Sequence, residues 1–207
     1  MTPKLLQNAF ARSPQKTKTR LAELLGVPNS AISELVAGRR AIKANEIPLI
    51  VRYLELDRVP VLGRVGRAGL IEAVGNGGEP ETVRLPFPAP DELIAFEVAE
   101  GAMAPRYDGG DVIVCWLRQR RPLESFYGEE AVVDTRDGRR FLRHVLAGHR
   151  AGLVTLHGLD PRAVIENARP VWIGEIYLTV RAAQRQQLDD SARGRSRARR
   201  PSATKGR

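Results

Sequence analysis

Cysteine is nearly absent from this chain of 207 residues, since Cys115 is the only one. One thiol cannot form an internal disulfide, which is typical of proteins from a reducing cytoplasm. Its apolar neighbours, Val112-Ile-Val-Cys-Trp116, predict a buried strand and therefore a packed, inert thiol. Long apolar runs are absent too: no stretch of about 18 apolar residues could cross a membrane, and the first residues lack the apolar core of a secretion signal. We expect a cytoplasmic protein without a membrane partner.

Lysine and serine are scarce in the middle of the chain. No lysine lies between Lys43 and Lys205, and Ser125 is the one serine between residues 59 and 180. A serine nucleophile activated by a neutral lysine therefore lacks its base in this stretch. The three histidines, all within residues 144–157, match no zinc-ligand spacing. We expect neither a metal site nor a cofactor.

Basic residues are concentrated at the two ends. Residues 1–58 carry 10 Lys and Arg against 5 Asp and Glu, residues 59–180 carry 14 against 17, and residues 181–207 carry 9 against 2. The formal net charge of +9 thus comes from a basic head and a basic tail around a mildly acidic middle. This distribution favours nucleic acid as a partner, through neutralisation of phosphates and release of counterions. A basic surface that only aids solubility is the alternative.

Apolar spacing divides the chain into three segments. Residues 1–58 show four apolar stripes at helical spacing, separated by glycines, which predicts an all-helical domain. Residues 59–181 show short apolar runs separated by turn signals, which predicts a mostly-β domain and an α+β chain overall. Residues 182–207 are rich in Arg, Ser, Ala and Gln and predict a disordered basic tail, either a tether to DNA or an end without a role. The expected strands are Val61–Val65, Leu93–Val98, Val112–Trp116, Glu130–Asp134, Phe141–Leu146, Leu153–Leu156 and Val171–Val180.

Residues 18–37 carry small, glycine and branched residues at a characteristic spacing. Ala22 allows two helices to approach closely, Gly26 provides a turn with positive φ, and Ile32 packs the second helix on the first. Over residues 4–56 the chain resembles the helix-turn-helix domain of the XRE, or Cro/CI, type. That pattern reads here Leu21-Ala-x-x-Leu-Gly-Val, Ile32-Ser and Gly38-Arg-Arg. The resemblance implies a DNA-binding domain whose second helix enters the major groove.

The predicted second helix has one face free of core residues. At 100° per residue its polar side chains lie together, opposite Ile32 and Leu35. Asn pairs with adenine, Glu accepts from cytosine and Ser is adaptable, whereas basic residues beside the hairpin suit phosphates. A solvated or salt-bridged Glu34 is the alternative for that residue. We expect base contacts from Asn29, Ser30, Ser33 and Glu34, and phosphate contacts from Lys18, Arg39, Arg40 and Lys43.

Residues 97–114 contain a second characteristic string. It reads Glu-Val-Ala-Glu-Gly-Ala102-Met-Ala-Pro-Arg-Tyr-Asp-Gly-Gly-Asp111-Val-Ile-Val. This string resembles the active-site loop of the self-cleaving repressors of the LexA and phage CI type, in which Gly-x-Ser-Met-x-Pro precedes a Gly-Asp and an apolar strand. Residues 60–69, ending in Ala68-Gly69, resemble the cleavage-site segment of that family, and residues 141–146 resemble the strand that carries its lysine. The resemblance covers about residues 60–180 and implies a LexA/CI-like peptidase fold that dimerises.

Both catalytic positions differ from that family. The serine position holds Ala102, which has no hydroxyl. The lysine position aligns best with Arg143, whose guanidinium stays protonated and cannot act as a base. We therefore predict a degenerate, inactive peptidase domain with a vestigial cleavage site at Ala68–Gly69.

The sequence favours a sequence-specific DNA-binding transcriptional regulator of bacteria or phage, located at the nucleoid. We expect a repressor, because the relatives that it resembles mostly repress. Its expected partners are a second copy of the chain and a palindromic operator in double-stranded DNA, because two half-sites multiply specificity. Two alternatives stay open. One is a self-cleaving repressor of the DNA-damage response, which Ala102 and Arg143 oppose, and the other is a regulator whose inactive cleft senses a protein or ligand partner.

Overall fold

Helices and strands are mixed along the chain and pack into two compact units. One unit contains Met1–Val59 with Leu85–Leu93, and the other contains Pro60–Arg84 with the chain from Ile94 onward. The structure is a computed structural model. It describes residues 1–74, 81–90, 92–160 and 163–197, with side chains as far as residue 190. The expected mixture of helices and strands is confirmed, and none of the helices in these ranges is both long and apolar enough to cross a membrane.

The first unit, called the helical unit below, has helices where the apolar stripes predict them. Its core contains at least one nearly fully buried side chain from each helix, among them Leu6, Leu21, Ile32 and Ile50. Burial stabilises these helices, because helices of eight to ten residues are marginal in isolation. The helices are α1 (Pro3–Arg12), α2 (Lys18–Leu25), α3 (Asn29–Val36) and α4 (Ile47–Leu54).

The turn between α2 and α3 follows from its local sequence. Gly26 ends α2 with φ +64°, and its N–H donates to the carbonyl oxygens of Ala22 and Glu23. Ala22 is buried, as its predicted packing role requires. α3 begins at Asn29, directly after Pro28, and no side chain caps it. The predicted glycine turn and the predicted packing of the two helices are therefore confirmed.

Leu85–Leu93 lies between two strands in the chain but packs with the helical unit. The backbone N–H of Leu85 donates to the carbonyl of Asp57 at 2.7 Å, and that of Ala89 donates to the carbonyl of Leu56 at 2.6 Å. The helical unit therefore includes a segment that the apolar spacing assigned to the mostly-β domain.

The second unit, called the barrel unit below, contains a closed ring of seven strands. The strands are β1 (Arg58–Val65), β2 (Leu70–Ala73), β3 (Thr82–Arg84), β4 (Leu93–Val98), β5 (Val112–Trp116), β6 (Glu129–Thr135), β7 (Arg140–Ala147), β8 (Val154–His157), β9 (Ile165–Ala168) and β10 (Pro170–Val180). The ring runs β2-β1-β4-β5-β10-β6-β7, and β7 pairs with β2 to close it. β1 and β4 are parallel, whereas β1–β2, β2–β7, β6–β7, β6–β10 and β5–β10 are antiparallel. Closure pairs both edges of these seven strands, and β3, β8 and β9 are added outside the ring.

The seven expected strands are all present, with bounds that shift by at most three residues. The strands that apolar spacing did not predict are β2, β3 and β9, which have only three or four residues. Such short strands contain too few side chains to show an alternation, so that their pairing partners decide whether they form.

Apolar side chains cover both faces of β7. Leu142 packs in a cluster with Val132 and Met103, whereas Phe141 and Val145 pack in a second cluster. Successive side chains of a strand point to opposite faces. Neighbouring positions of β7 therefore belong to different apolar cores.

A fifth helix, α5 (Ala182–Arg197), replaces most of the disordered tail that composition predicts. Its first N–H, that of Ala182, donates to a carboxylate oxygen of Asp111 at 2.9 Å, and Arg181 donates to the other oxygen at 2.5 Å. A carboxylate at a helix N-terminus satisfies an orphan N–H and complements the helix dipole. This cap lies about 70 residues away in the chain, so the composition of the tail contains no sign of it. Residues 198–207 of the predicted tail lie outside the described residues.

Candidate functional site

The residues expected to contact bases lie together on the exposed side of α3. Asn29, Ser30, Ser33 and Glu34, called the polar face of α3 below, are all exposed. Ile32 and Leu35 on the other side are buried in the helical core. The amide of Asn29 also donates to the hydroxyl of Thr19 on α2, at the long distance of 3.4 Å. α3 thus presents a continuous strip of hydrogen-bonding groups on a helix that its apolar side holds in place.

The four basic residues expected to contact phosphates have different surroundings. Lys18, Arg39 and Lys43 are exposed. Arg40 instead makes a two-pronged ion pair with Glu46, with N–O distances of 2.5 and 3.2 Å. The Glu46 side chain is only 7% exposed. Arg40 therefore holds the chain between α3 and α4, and the other three cations remain available to a ligand.

Glu46 is a positioning residue that the motif did not identify. Besides Arg40, the backbone N–H of Lys43 donates to its carboxylate at 2.9 Å. Donation from Arg40, helped by this N–H, holds the pKa of the Glu46 carboxyl below its ordinary value despite burial. An Arg and a Glu six residues apart outside a regular helix follow no spacing rule, so only the fold brings them together.

The C-terminal end of α3 is held by α1. The side-chain amide of Gln7 donates to the carbonyl of Val36 at 2.9 Å, which satisfies one of the orphan carbonyls at that end. A Cβ added to Gly38 would lie 2.9 Å from the ring of Pro3, so α1 packs closely against the turn after α3. These contacts fix the direction of α3 and with it the polar face.

The loop that contains Ala102 is tightly fastened to the barrel. Ala102 is half-buried against the apolar cluster of Leu142, and its N–H donates to the carbonyl of Ala99 at 3.1 Å. Tyr107 is buried in the same cluster and donates its hydroxyl to Glu130 at 2.5 Å. Burial, together with this donation, raises the pKa of the Tyr107 hydroxyl. The loop therefore has a fixed conformation with a methyl group where the resemblance expects a nucleophile.

The side chain of Arg143 is buried, with 4% of the residue exposed, and it donates to backbone carbonyls. One terminal nitrogen donates to the carbonyl of Ala68 at 2.7 Å, and the other donates to those of Leu156, at 3.3 Å, and Ala163. Burial, together with the charge of Arg139, lowers the pKa of the guanidinium. Among the described residues nothing accepts a hydrogen bond from the Nε of Arg143, and the acceptors of its terminal nitrogens are all backbone carbonyls. Arg143 therefore clamps the chain around Ala68 to β7.

Ala102 packs in the apolar cluster on one face of β7, whereas the side chain of Arg143 lies on the other face of that strand. Phe141 and Val145, two residues on either side of Arg143, pack in the apolar cluster that excludes Ala102. By the alternation of a strand, Arg143 lies on that same face, and its guanidinium is 5.3 Å from the ring of Phe141. The β7 side chain in the cluster of Ala102 is Leu142. Ala102 and Arg143, the two positions that resemble a nucleophile and its base, are thus associated with opposite faces of β7.

Ala68 and Gly69 lie against the edge of β7. Both have left-handed backbones, with φ of +55° and +72°. A Cβ added to Gly69 would lie 2.3 Å from the carbonyl oxygen of Leu142. β2 begins directly after Gly69, and its first residue, Leu70, pairs with Phe141. The predicted vestigial cleavage site is therefore in the turn directly before the strand that closes the barrel.

Other candidate groups add no chemistry to these two sites. Cys115 is buried, and burial raises the pKa of its thiol, as expected for a packed cysteine. Across the described ranges no three His, Cys, Asp or Glu side chains are grouped as metal ligands. His144 and His157 are neighbours across β7 and β8 and both are exposed.

No protein-family model matches the chain, and no curated protein matches it either.

Proposed function

We propose that this protein is a sequence-specific DNA-binding transcriptional regulator, acting as a repressor. In this proposal α2 and α3 form a helix-turn-helix of the XRE, or Cro/CI, type. The observation that carries it is the polar face of α3, which is exposed as one strip while the opposite side is buried in the helical core. Major-groove base edges are read by this kind of strip, since Asn, Ser and Glu supply the donors and acceptors that distinguish base pairs.

The surrounding charges support duplex DNA as the partner. Lys18, Arg39 and Lys43 are exposed on the same small unit, where they suit contacts with phosphate oxygens. Arg40 is left out of the proposed phosphate contacts because Glu46 occupies its guanidinium. The proposed division of labour is that α3 reads sequence and the three free cations position the helix on the backbone.

Selection from a pool of random duplexes tests the proposal with the full chain. We expect a selected sequence with two half-sites about 10 base pairs apart, because a homodimer presents two copies of α3 one helical turn apart. The variant Asn29→Ala removes one proposed bidentate base contact, worth about 1–3 kcal/mol, or about 5- to 150-fold in affinity. It is expected to lose that factor on the selected sequence and none on a shuffled duplex. Ser33→Ala removes a single hydroxyl and is expected to lose less, again only on the selected sequence.

The control is Asn45→Ala, which removes the same amide from an exposed residue outside α3. It is expected to bind both duplexes like the unaltered chain. Failure of selection to enrich any sequence, or equal losses for Asn29→Ala on both duplexes, would reject sequence-specific reading by this helix.

For the barrel unit we propose an inactive LexA/CI-like domain that dimerises at the nucleoid and cannot cut its own chain. Two features support this proposal: Ala102 has no hydroxyl, and Arg143 is occupied by backbone carbonyls instead of facing Ala102. A short helix contacts few bases, so pairing of two chains is the physical route to useful affinity for an operator. In this proposal release from DNA depends on something other than self-cleavage.

A further inference from the structure

The sheet brings two of the three histidines of the chain together. His144 in β7 and His157 in β8 are directly opposite each other in the antiparallel register of these strands. Residues in such a pair have their side chains on the same face, with Cβ atoms about 4.5–5.5 Å apart. The next pair in the ladder, Val145 and Leu156, is buried in the apolar cluster on the other face. The two imidazoles are therefore neighbours on one face of the sheet.

Both imidazoles are open to solvent. His144 and His157 are exposed, and neither ring makes a hydrogen bond, an ion pair or a ring contact with another side chain in the described part of the chain. A neutral imidazole has one ring nitrogen with a free lone pair, which is the atom that binds a transition metal. Two adjacent, unpartnered imidazoles thus form a donor set of two nitrogen ligands.

The spacing of the pair suits one shared ion. Bonds from imidazole nitrogen to a metal are about 2.0–2.1 Å long, so two ring nitrogens on one ion lie about 3 Å apart. Side chains whose Cβ atoms are about 5 Å apart reach this separation by turning the rings toward each other. No group of three His, Cys, Asp or Glu ligands occurs among the described residues, so water completes the coordination at this exposed position.

The charged residues next to the pair are occupied elsewhere. Glu130 is opposite His144 on β6, but Tyr107 and Arg106 both donate to the same oxygen of its carboxylate. Arg143 directly precedes His144, but the alternation of the strand places it on the other face, where it donates to backbone carbonyls. Neither of these arginines is therefore an unpaired cation beside the two imidazoles.

We propose that His144 and His157 together bind one divalent transition-metal cation, and that they bind Cu²⁺ more tightly than Ni²⁺ or Zn²⁺. Imidazole suits these ions, and the affinity of a given nitrogen site rises along the first-row metals to a maximum at Cu²⁺. Mg²⁺ and Ca²⁺ prefer oxygen ligands and are not expected to bind. The site belongs to the barrel unit and does not depend on the function proposed for the helical unit.

The bound ion joins a strand of the closed ring to a strand outside it, since β7 belongs to the ring and β8 is added at its side. An ion that needs both ligands binds the paired strands better than separated ones and thus stabilises their pairing. The two ligands are thirteen residues apart in the chain, and spacing alone predicted no metal site. The register of β7 and β8 is what makes them neighbours.

Calorimetric titration of the full chain with Cu²⁺, Ni²⁺, Zn²⁺ and Mg²⁺ tests the proposal. His144→Gln and His157→Gln each leave a single imidazole. Each should lose at least about ten-fold in Cu²⁺ affinity, because loss of an outer-shell partner alone costs about 10- to 100-fold. His149→Gln is the matched control, since it removes the other exposed histidine, beyond the end of β7, and should bind like the unaltered chain. All three positions are exposed, so circular dichroism should show an unchanged fold.

Electron paramagnetic resonance gives a second readout that a structural role of the histidines would not produce. The chain loaded with one equivalent of Cu²⁺ is expected to show couplings to two imidazole nitrogens, and His144→Gln or His157→Gln should show fewer. Equal Cu²⁺ affinities for the unaltered chain and these two variants would overturn the proposal. Binding of Mg²⁺ as tight as that of Cu²⁺, or a loss seen only in His149→Gln, would overturn it as well.

Discussion

The guanidinium of Arg143 donates to the carbonyls of Ala68, Leu156 and Ala163 from a buried position. A planar guanidinium has five N–H donors in fixed directions, so one side chain can join three carbonyls from different segments. A lysine ammonium is a single point and could not reach all three. The residue that resembles a catalytic position is therefore structural in this chain, and it stays protonated although burial lowers its pKa.

Loss of the Arg143 clamp is expected to loosen the turn at Arg67–Gly69. In Arg143→Gln the charged donor to the Ala68 carbonyl is gone, and such bonds contribute about 1.5–3 kcal/mol. Trypsin cleavage after the exposed Arg67 should accelerate about ten-fold or more, as followed by mass spectrometry of the fragments. Cleavage after the exposed Arg39, in the helical unit, is the internal control and should not change. Equal rates after Arg67 in both proteins would mean that Arg143 does not hold this turn.

Gly69 is expected to tolerate no side chain. In Gly69→Ala the new Cβ would meet the backbone oxygen of Leu142 at 2.3 Å, and backbone atoms of a closed barrel cannot move aside cheaply. The matched control is Gly101→Ala, which has a similar φ of +65° but no atom within 4 Å of its Cβ. Each variant is destabilised by about 1–2 kcal/mol for a left-handed alanine, and Gly69→Ala should lose at least about 1 kcal/mol more in urea unfolding. Equal losses would show that the contact with Leu142 relaxes.

The connection from α3 to α4 is held by the side chain of Glu46. It has no regular structure over residues 37–46 apart from turns, yet Glu46 ties Arg40 and the Lys43 backbone together. The two helices need this connection because each has only eight residues. Orientation of the polar face of α3 therefore depends on an ion pair outside the face.

Removal of this carboxylate is expected to lower stability in a pH-dependent way. The pKa of Glu46 is lower in the folded chain, so its contribution is present above the unfolded pKa of about 4.3 and is lost as pH falls through the folded value. At pH 7, Glu46→Gln should reduce the melting temperature of the helical unit by about 5 °C in circular dichroism at 222 nm.

As pH falls through the folded pKa of Glu46, the melting curves of Glu46→Gln and the unaltered chain should converge. A difference that stays constant from pH 7 down to the lowest pH at which both proteins still fold would contradict a role of the ionised carboxylate. Glu23→Gln is the control, since within the described part of the chain that exposed residue pairs only with the exposed Arg20, and its loss should change neither curve.

At the scale of the whole molecule, ring closure by β2 joins the segment that resembles a cleavage site to the strand that contains Arg143. β2 pairs with both β1 and β7, and the turn before it contains Ala68 and Gly69. The segment that resembles a cleavage site is therefore part of the barrel wall in this structure. Arg143 contributes to that arrangement from β7, and Gly69 contributes from the turn before β2, where it packs against the backbone of Leu142.

A hydroxyl added at position 102 is expected to leave the chain intact. Ala102→Ser supplies a possible nucleophile, but the β7 side chain in its cluster is still Leu142, which cannot accept a proton. Incubation of the full chain and of Ala102→Ser at pH 10 should yield no fragments ending at Ala68 or beginning at Gly69, by intact-mass measurement. Appearance of those fragments from the unaltered chain would reject the proposal that the barrel unit cannot cut its own chain.

The periodicity of apolar residues was enough to predict four helices and seven strands, because each pattern depends only on residues that are close together in the sequence. Motif spacing likewise identified Gly26, the packing residues of α2 and α3 and the exposed strip beside them. Local sequence could not predict which face of β7 Arg143 occupies, since a register change of one residue moves every side chain of a strand to the other face. It also could not predict the Glu46 clamp, the cap of α5 by Asp111 or the closing strand β2. Each of these joins groups that are distant in the chain or outside regular structure, so only the folded backbone brings their charges and hydrogen bonds within reach.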